Sequence, residues 1–326
     1  MSLIEQAAKR LEELRQAGAE LPDAPAADGQ RSAADATPTP EAFVRALDAR
    51  GAAPHGAQAT RRMRAEESGR RPVPPPEQAE ELSRRVVLDL PRLKARGFVT
   101  PDAPKSQIAD EFRVIKRPII RNALGQAGAR VKHGNLVMVT SALPGEGKTF
   151  TSLNLALSIA MEIDSTVLLV DGDVAHPAIP GLLGTPHGPG LLDLLTRDDL
   201  EFGEAMIRTN VDKLTILPAG SRHRRSTELL ASEQMASLLR ELASRYEDRI
   251  IIFDSPPLLA TTEARVLATN MGQIVMVVAA DATSQHAVNQ ALATIEGCEI
   301  VLMVLNKASR TDVGTYYGYY AVDEAS

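Results

Sequence analysis

Between residues 135 and 308 the chain repeats one pattern, a short run of Val, Ile and Leu followed by a stretch whose apolar positions recur at helical spacing. The apolar runs lie at 135–142, 166–173, 213–220, 250–257, 273–280 and 299–308, and the helical stretches at 149–161, 227–246, 262–271 and 283–297. Strands apolar on both sides and separated by crossover helices predict a mainly parallel sheet with helices on both faces. The expected fold class is α/β, doubly wound. Such sheets bind ligands beyond the carboxyl ends of their strands, so residues just after these runs are the first candidates for chemistry.

The pattern upstream is different. Residues 3–16 place Leu3, Ala7, Leu11 and Leu14 on one stripe among charged positions, the spacing of an amphipathic helix. So short a helix needs a surface to dock on, either its own catalytic domain, another copy or a partner. From Pro22 to Pro76 come nine of the chain's 21 prolines, with Phe43, Val44, Leu47, Met63 and Val73 as the large apolar residues. That composition buries too little surface to offset chain entropy, so a disordered tether is expected, with a short helical piece at 41–50. The predicted organisation is an amphipathic helix at 1–16, an Ala/Pro/Arg-rich linker at 17–80, a folded domain at 81–310 and a tyrosine-rich tail at 311–326.

Composition narrows the options. The 326 residues carry a net charge of −6, which supplies no overall positive field for nucleic acid. A single cysteine, Cys298, excludes an intramolecular disulfide framework and fits a reducing compartment. The apolar runs are far shorter than the roughly 20 residues of a membrane-spanning helix, and the charged N-terminus lacks a secretion signal's apolar core. A cytoplasmic protein is expected.

The chemistry concentrates at the ends of the runs. Residues 141–149 read Ser-Ala-Leu-Pro-Gly-Glu-Gly-Lys-Thr and pass directly into a helix, the context of a phosphate-binding loop. Glycines let backbone N–H groups approach phosphate, Lys148 reaches the outer phosphates and the Thr149 hydroxyl ligates Mg²⁺. Pro144, Gly145, Glu146, Gly147, Lys148, Thr149 and Phe150 are therefore the candidate nucleotide-binding residues, in a sheet of the P-loop NTPase type. One departure is Ala142, where the pattern has its first glycine. The second run ends in Asp171 and Asp173, one residue apart; the fourth ends in Asp254, the position from which P-loop enzymes hold Mg²⁺ directly or through water. Thr149, Asp171 and Asp254 are the candidate metal site. Finally, Tyr316, Tyr317, Tyr319 and Tyr320 gather four of the chain's five tyrosines near the C-terminus, as phenols offered to a phosphoryl donor.

A phosphate loop, a paired-Asp strand, an apolar run ending Asp-Ser-Pro-Pro and a terminal tyrosine cluster together resemble the bacterial tyrosine kinases. The segment 110–118 and the amphipathic start followed by a Pro-rich tether resemble, within them, the exosortase-associated autokinases of exopolysaccharide clusters (the PEP-CTERM system). The resemblance implies ATP and Mg²⁺ as cofactors and 141–149, Asp171 with Asp173, and Asp254 as the Walker A, A′ and B motifs. It makes Lys148, Asp171 and Asp173 catalytic, with Asp173 the candidate base and Asp171 its metal-linked support, their roles not separable from sequence. Asn306, at the tip of the last run, would meet the adenine or form a plain strand-end turn.

The resemblance further implies a homo-oligomeric ring in which Asp110, Arg113 and Lys116 form the interface motif. It also implies a membrane chain-length-determinant-like activator, with recruitment to the inner face of the plasma membrane. The family's arginine after Asp-x-Asp falls at Ala175, beside His176, which leaves that arginine's task without an obvious owner. The rival readings are a partition- or cell-division-like ATPase, disfavoured because 141–144 lacks those proteins' second lysine, and a nucleotide-gated scaffold without kinase activity.

Overall fold

The computed structural model describes residues 84–125, 131–186, 188–245 and 248–308, all within the unit Ser68–Ser326. The expected helix at 1–16, the linker at 17–80 and the tyrosines of the tail lie outside the described residues. In chain order the elements are β1 (Arg84–Arg85), α1 (Leu90–Ala95), α2 (Gln107–Ala123), β2 (Leu136–Ser141), α3 (Lys148–Ala160) and β3 (Thr166–Asp171). Next come α4 (Ile179–Leu183), α5 (Leu191–Thr196), α6 (Phe202–Ala205), β4 (Ile207–Arg208), β5 (Leu214–Leu217), α7 (Ser226–Leu230) and α8 (Glu233–Arg245). The chain continues through β6 (Arg249–Asp254), α9 (Thr262–Ala268), β7 (Gln273–Ala279), α10 (Gln285–Ala293) and β8 (Val301–Asn306).

The eight strands form one sheet in the order β1-β4-β5-β3-β6-β2-β7-β8, parallel except where β4 meets β5. All six predicted runs are strands, and the chain is α/β and doubly wound. Because successive strand residues face opposite sides, Leu168 and Val170 enter one core layer while Val167 and Leu169 enter the other. Helices α1 to α4 cover the second layer, and α5 and α7 to α10 the first. The strands at the centre are therefore apolar without alternation, as a sheet buried on both faces requires.

Local chemistry explains the boundaries that periodicity misses. The helix predicted over 227–246 is two helices, because the Ser232 hydroxyl accepts the Met235 N–H (3.2 Å) and caps α8 at a new start. Strands β1 and β4 have two residues each, too few to show a period. Helix α2 begins at Ser106, whose side chain accepts the Ala109 N–H, and buries Ala109, Phe112, Lys116 and Ile119 on one stripe. Among the described residues no helix is long and apolar enough to cross a membrane.

Lys116 corrects one expectation. Grouped from its sequence position with Asp110 and Arg113 at a contact between subunits, it is only 3% exposed. Its ammonium donates to the Ser158 carbonyl (2.6 Å) and pairs with Glu162 (2.8 Å), inside its own protomer. Asp110 and Arg113 are exposed and pair with each other across one helical turn. The reason is the helical repeat: position 116 falls on the stripe with Phe112 and Ile119, which faces α3.

Candidate active site

Strand β2 delivers the chain to the loop 142–147, and α3 begins at Lys148. Ala142 is fully buried in the core, so the position expected to be glycine packs beneath the loop. Gly147 takes φ +102°, and a Cβ there would lie 2.0 Å from Asn306 Nδ2, so both conformation and space demand glycine. The loop is braced by its own glutamate. Glu146, 3% exposed, accepts from Leu143 N (2.6 Å) and Ala279 N (3.3 Å) and takes a short hydrogen bond from the Thr283 hydroxyl. From the far side Asn306 Nδ2 donates to the Glu146 carbonyl (2.8 Å) and Lys307 Nζ to the Gly145 carbonyl (2.7 Å).

Asn306 is thus neither a plain turn residue nor free to use that N–H elsewhere: it ties β8 to the phosphate loop. Glu146 contributes to the loop through its side chain as a brace, which a backbone-only reading of the motif does not reveal. The sequence signal that could have found the brace is a carboxylate between two glycines, where a solvated loop has no need of one.

Two of the acidic strand tips adjoin. Asp171 and Asp254 are register partners on adjacent strands, and the Gly172 N–H donates to the Asp254 carbonyl (2.7 Å). A Cβ on Gly172 would approach that carbonyl to 2.9 Å, which accounts for glycine between the two aspartates. Asp171 Oδ2 accepts from Ile179 N (3.1 Å), whereas Asp171 Oδ1 and Asp254 Oδ1 are buried without a hydrogen-bond partner among the described residues. Burial pushes the Asp171 carboxyl up to about 8, helped by the nearby Asp254. Burial also raises Asp254, to about 6, against hydrogen bonds from Thr149 and Ser152 and the charge of Lys148. Two orphaned carboxylate oxygens side by side are costly unless a cation meets them.

Lys148 makes no hydrogen bond or ion pair among the described residues; burial lowers its pKa, with Asp254, Asp173 and Glu146 pulling the other way. Asp173 differs from Asp171 in access. Its side chain is 17% exposed and accepts the His176 N–H (3.0 Å), and burial raises its pKa. Ala175 and His176 are both exposed, and no arginine adjoins them in sequence. Phe150 stacks at 5.1 Å on Phe98, so it packs α3 against the segment before α2.

The donor set, the unpartnered carboxylate oxygens of Asp171 and Asp254, suits a hard divalent cation such as Mg²⁺, which takes few protein oxygens. The glycine loop opening α3, the cation Lys148 and the unpartnered acids on β3 and β6 define a phosphate-binding nucleotide protein of the P-loop class.

Comparison with known proteins narrows the class. The family model described as an AAA domain matches residues 135–305. CapB of Staphylococcus aureus, which carries a provisional tyrosine-protein kinase name, is 30% identical over 71% of this chain and 99% of its own length. The tyrosine-protein kinase YwqD of Bacillus subtilis is 29% identical over 70% of this chain and 93% of its own. Among solved structures, the kinase domain of VpsO superposes with a TM-score of 0.50 at 31% identity, covering 63% of this chain and all of that one. The chain belongs to the bacterial tyrosine kinase family of P-loop proteins.

Proposed function

We propose that the chain is an ATP-dependent protein-tyrosine autokinase that phosphorylates Tyr316, Tyr317, Tyr319 and Tyr320 and thereby regulates exopolysaccharide biosynthesis or export, in the exosortase-associated (PEP-CTERM) branch of its family. The observation that carries the reading is the group at the head of α3. An unpaired Lys148 and two orphaned carboxylate oxygens stand at a phosphate loop, in a chain whose family is named for tyrosine kinases.

In this reading the loop amides and Lys148 hold the phosphates, and Thr149, Asp171 and Asp254 would hold Mg²⁺, which when bound would neutralise phosphate charge. The phenolic oxygen attacks the γ-phosphorus, the bond to the β-phosphate oxygen breaks with ADP leaving, and the phenol proton passes to a carboxylate. A phenol with pKa about 10 needs such a base at neutral pH. Asp173 fits that task better than Asp171, because its carboxylate is partly exposed whereas that of Asp171 is fully buried. The chain acts as a homo-oligomeric ring, with Asp110 and Arg113 on the outward face of α2, and a chain-length-determinant-like membrane protein recruits and activates it. The folded kinase unit spans 81–310.

Purified chain incubated with Mg-ATP and mapped by mass spectrometry tests this. Phosphate on Tyr316 to Tyr320 that vanishes in Lys148→Met is the expected result. ATP hydrolysis with an unmodified tail, in an assembled sample with its activator present, would make the protein a non-kinase ATPase.

A further inference from the structure

At the edge of the sheet opposite the phosphate loop lies a cavity of about 270 Å³. It opens where three strands begin: Leu136 is the first residue of β2, Gly272 just precedes β7 and Glu299 shortly precedes β8, and α8 adds Leu239 and Arg240. Strand β2 runs six residues from this cavity toward the phosphate loop, about 20 Å at about 3.3 Å per residue. The two sites are therefore separate.

The charges around the cavity are sorted. Lys132 and His133, in the turn before β2, join Arg240 of α8 in the lining. Burial lowers the His133 pKa, and the charges of Lys132 and Arg240 push it the same way, so these basic groups share one space. Glu299 is the acid of the lining, and its strand β8 stands two steps from β2 in the sheet, about 10 Å at about 4.8 Å per step. Among the described residues Lys132, the His133 ring and the Glu299 carboxylate have no hydrogen-bond or ion-pair partner. Arg240 gives one guanidinium N–H to the exposed Glu233 (2.5 Å), an exposed pair of little energetic weight.

A dent between strand starts is commonly just hydrated surface. This one has a fixed wall. His133 holds φ +53°, a left-handed conformation that few side chains adopt. Its carbonyl lies so close to Gly272 that a Cβ there would come to 2.1 Å from it. Strain of this kind collects at ligand clamps, and here it holds a partly buried imidazole beside two cations that disfavour its protonation and attract an anion.

We propose that the cavity binds a small sugar phosphate of the size of a hexose monophosphate, its phosphate on Lys132, His133 and Arg240 and its hydroxyls on Glu299. Ammonium and guanidinium groups hold phosphate by charge-assisted hydrogen bonds, a neutral imidazole adds an N–H donor, and a carboxylate accepts from neighbouring hydroxyls. The buried Leu136, Leu239 and Met271 offer apolar contact to the carbon face of a sugar ring. The volume lies just below the about 300 Å³ at which ligand cavities usually begin, so the ligand is small. Phosphate alone leaves Glu299 without a partner, and a sugar alone leaves the cations without one. Such a site would hold its ligand whatever reaction the phosphate loop performs, so its failure and that of the kinase reading are independent.

The test titrates the full chain by isothermal calorimetry with glucose 1-phosphate and glucose 6-phosphate, and with inorganic phosphate and glucose as controls, in excess Mg-ADP to occupy the phosphate loop. At least one sugar phosphate is expected to bind with a Kd below about 1 mM, and at least about tenfold more tightly than either control. Lys132→Glu together with Arg240→Glu should weaken it by at least about tenfold, and by less at high salt. Glu299→Gln should weaken the sugar phosphate about fivefold while leaving inorganic phosphate no weaker, a split that a merely structural residue would not give. His133→Asn, which keeps a residue suited to left-handed backbone, should cost at least about threefold. Lys132, Arg240 and Glu299 are exposed, and urea unfolding of each variant checks the fold. No binding of either sugar phosphate, affinity no better than that of inorganic phosphate, or binding indifferent to the paired charge reversal or to Glu299→Gln overturns the proposal.

Discussion

A lysine stands at each end of helix α3, one its own and one from α2, and the two live in opposite circumstances. At its N-terminus Lys148 faces the phosphate loop without an ion pair, beside carboxylate oxygens on Asp171 and Asp254 that have no partner. Against its C-terminus Lys116 donates to the Ser158 carbonyl and pairs with Glu162, which uses both the helix dipole and a counter-charge. Burial still lowers the Lys116 pKa, outweighing Glu162, while the Glu162 carboxyl is held low by its bond to Lys116. One end is satisfied internally. The other keeps its charges uncommitted, which is how a binding site differs from a scaffold of the same composition.

The sharpest way to break this contrast is Lys148→Met, expected to lower tail phosphorylation by at least about 100-fold, since a pre-set charge aimed at the transferred group acts directly on the barrier. Quantitative phosphotyrosine mapping over time checks it; a loss below about tenfold would place the catalytic charge elsewhere. Next comes the satisfied end. Glu162→Gln leaves a buried ammonium short of its counter-charge and should cost about 2 kcal/mol in urea unfolding, less than for a fully buried pair because Glu162 is partly exposed. Lys116→Met together with Glu162→Gln should recover most of that loss, and failure to recover would mean that the pair stabilises α3 outright.

Asp254→Asn should act in the reverse sense. Removing a buried charge whose Oδ1 has no partner leaves the ligand-free protein as stable or about 1 kcal/mol more stable, while the thermal shift given by Mg-nucleotide disappears. Equal shifts in parent and variant would remove Asp254 from the metal site. The smallest effect is in pH. Because the folded-state pKa of Glu162 is depressed, its contribution is complete above the ordinary value of 4.5 and fades as pH falls through the lower folded value. The stability gap between parent and Glu162→Gln should therefore narrow below about pH 4.5, as unfolding midpoints across pH 3 to 7 would show.

Much of this was legible in the chain itself. Continuous apolar runs identified the six principal strands, and the glycine loop with its following helix located Lys148 and Thr149, because both signals are local. The break at Ser232 was not, since a serine inside an apolar helical period looks like an exposed helix position until its hydroxyl is seen capping α8. Lys116 misled for a related reason: the resemblance grouped it with Asp110 and Arg113, but its place on the Phe112–Ile119 stripe put it against α3. Asn306 and Glu146 could be assigned to the nucleotide site by position, yet their contacts with each other, 160 residues apart, needed the sheet to be closed.

What the sequence determined by itself is the class of chemistry: which residues can carry phosphate, metal and proton, and that an alternating strand and helix pattern would bring strand tips to one edge. What the tertiary structure decided is which of those groups are spent. Whether a carboxylate is paired, orphaned or exposed depends on neighbours supplied by distant strands. Desolvation, which separates Asp171 from Asp173 at two residues' distance, is a property of the packed interior rather than of the chain.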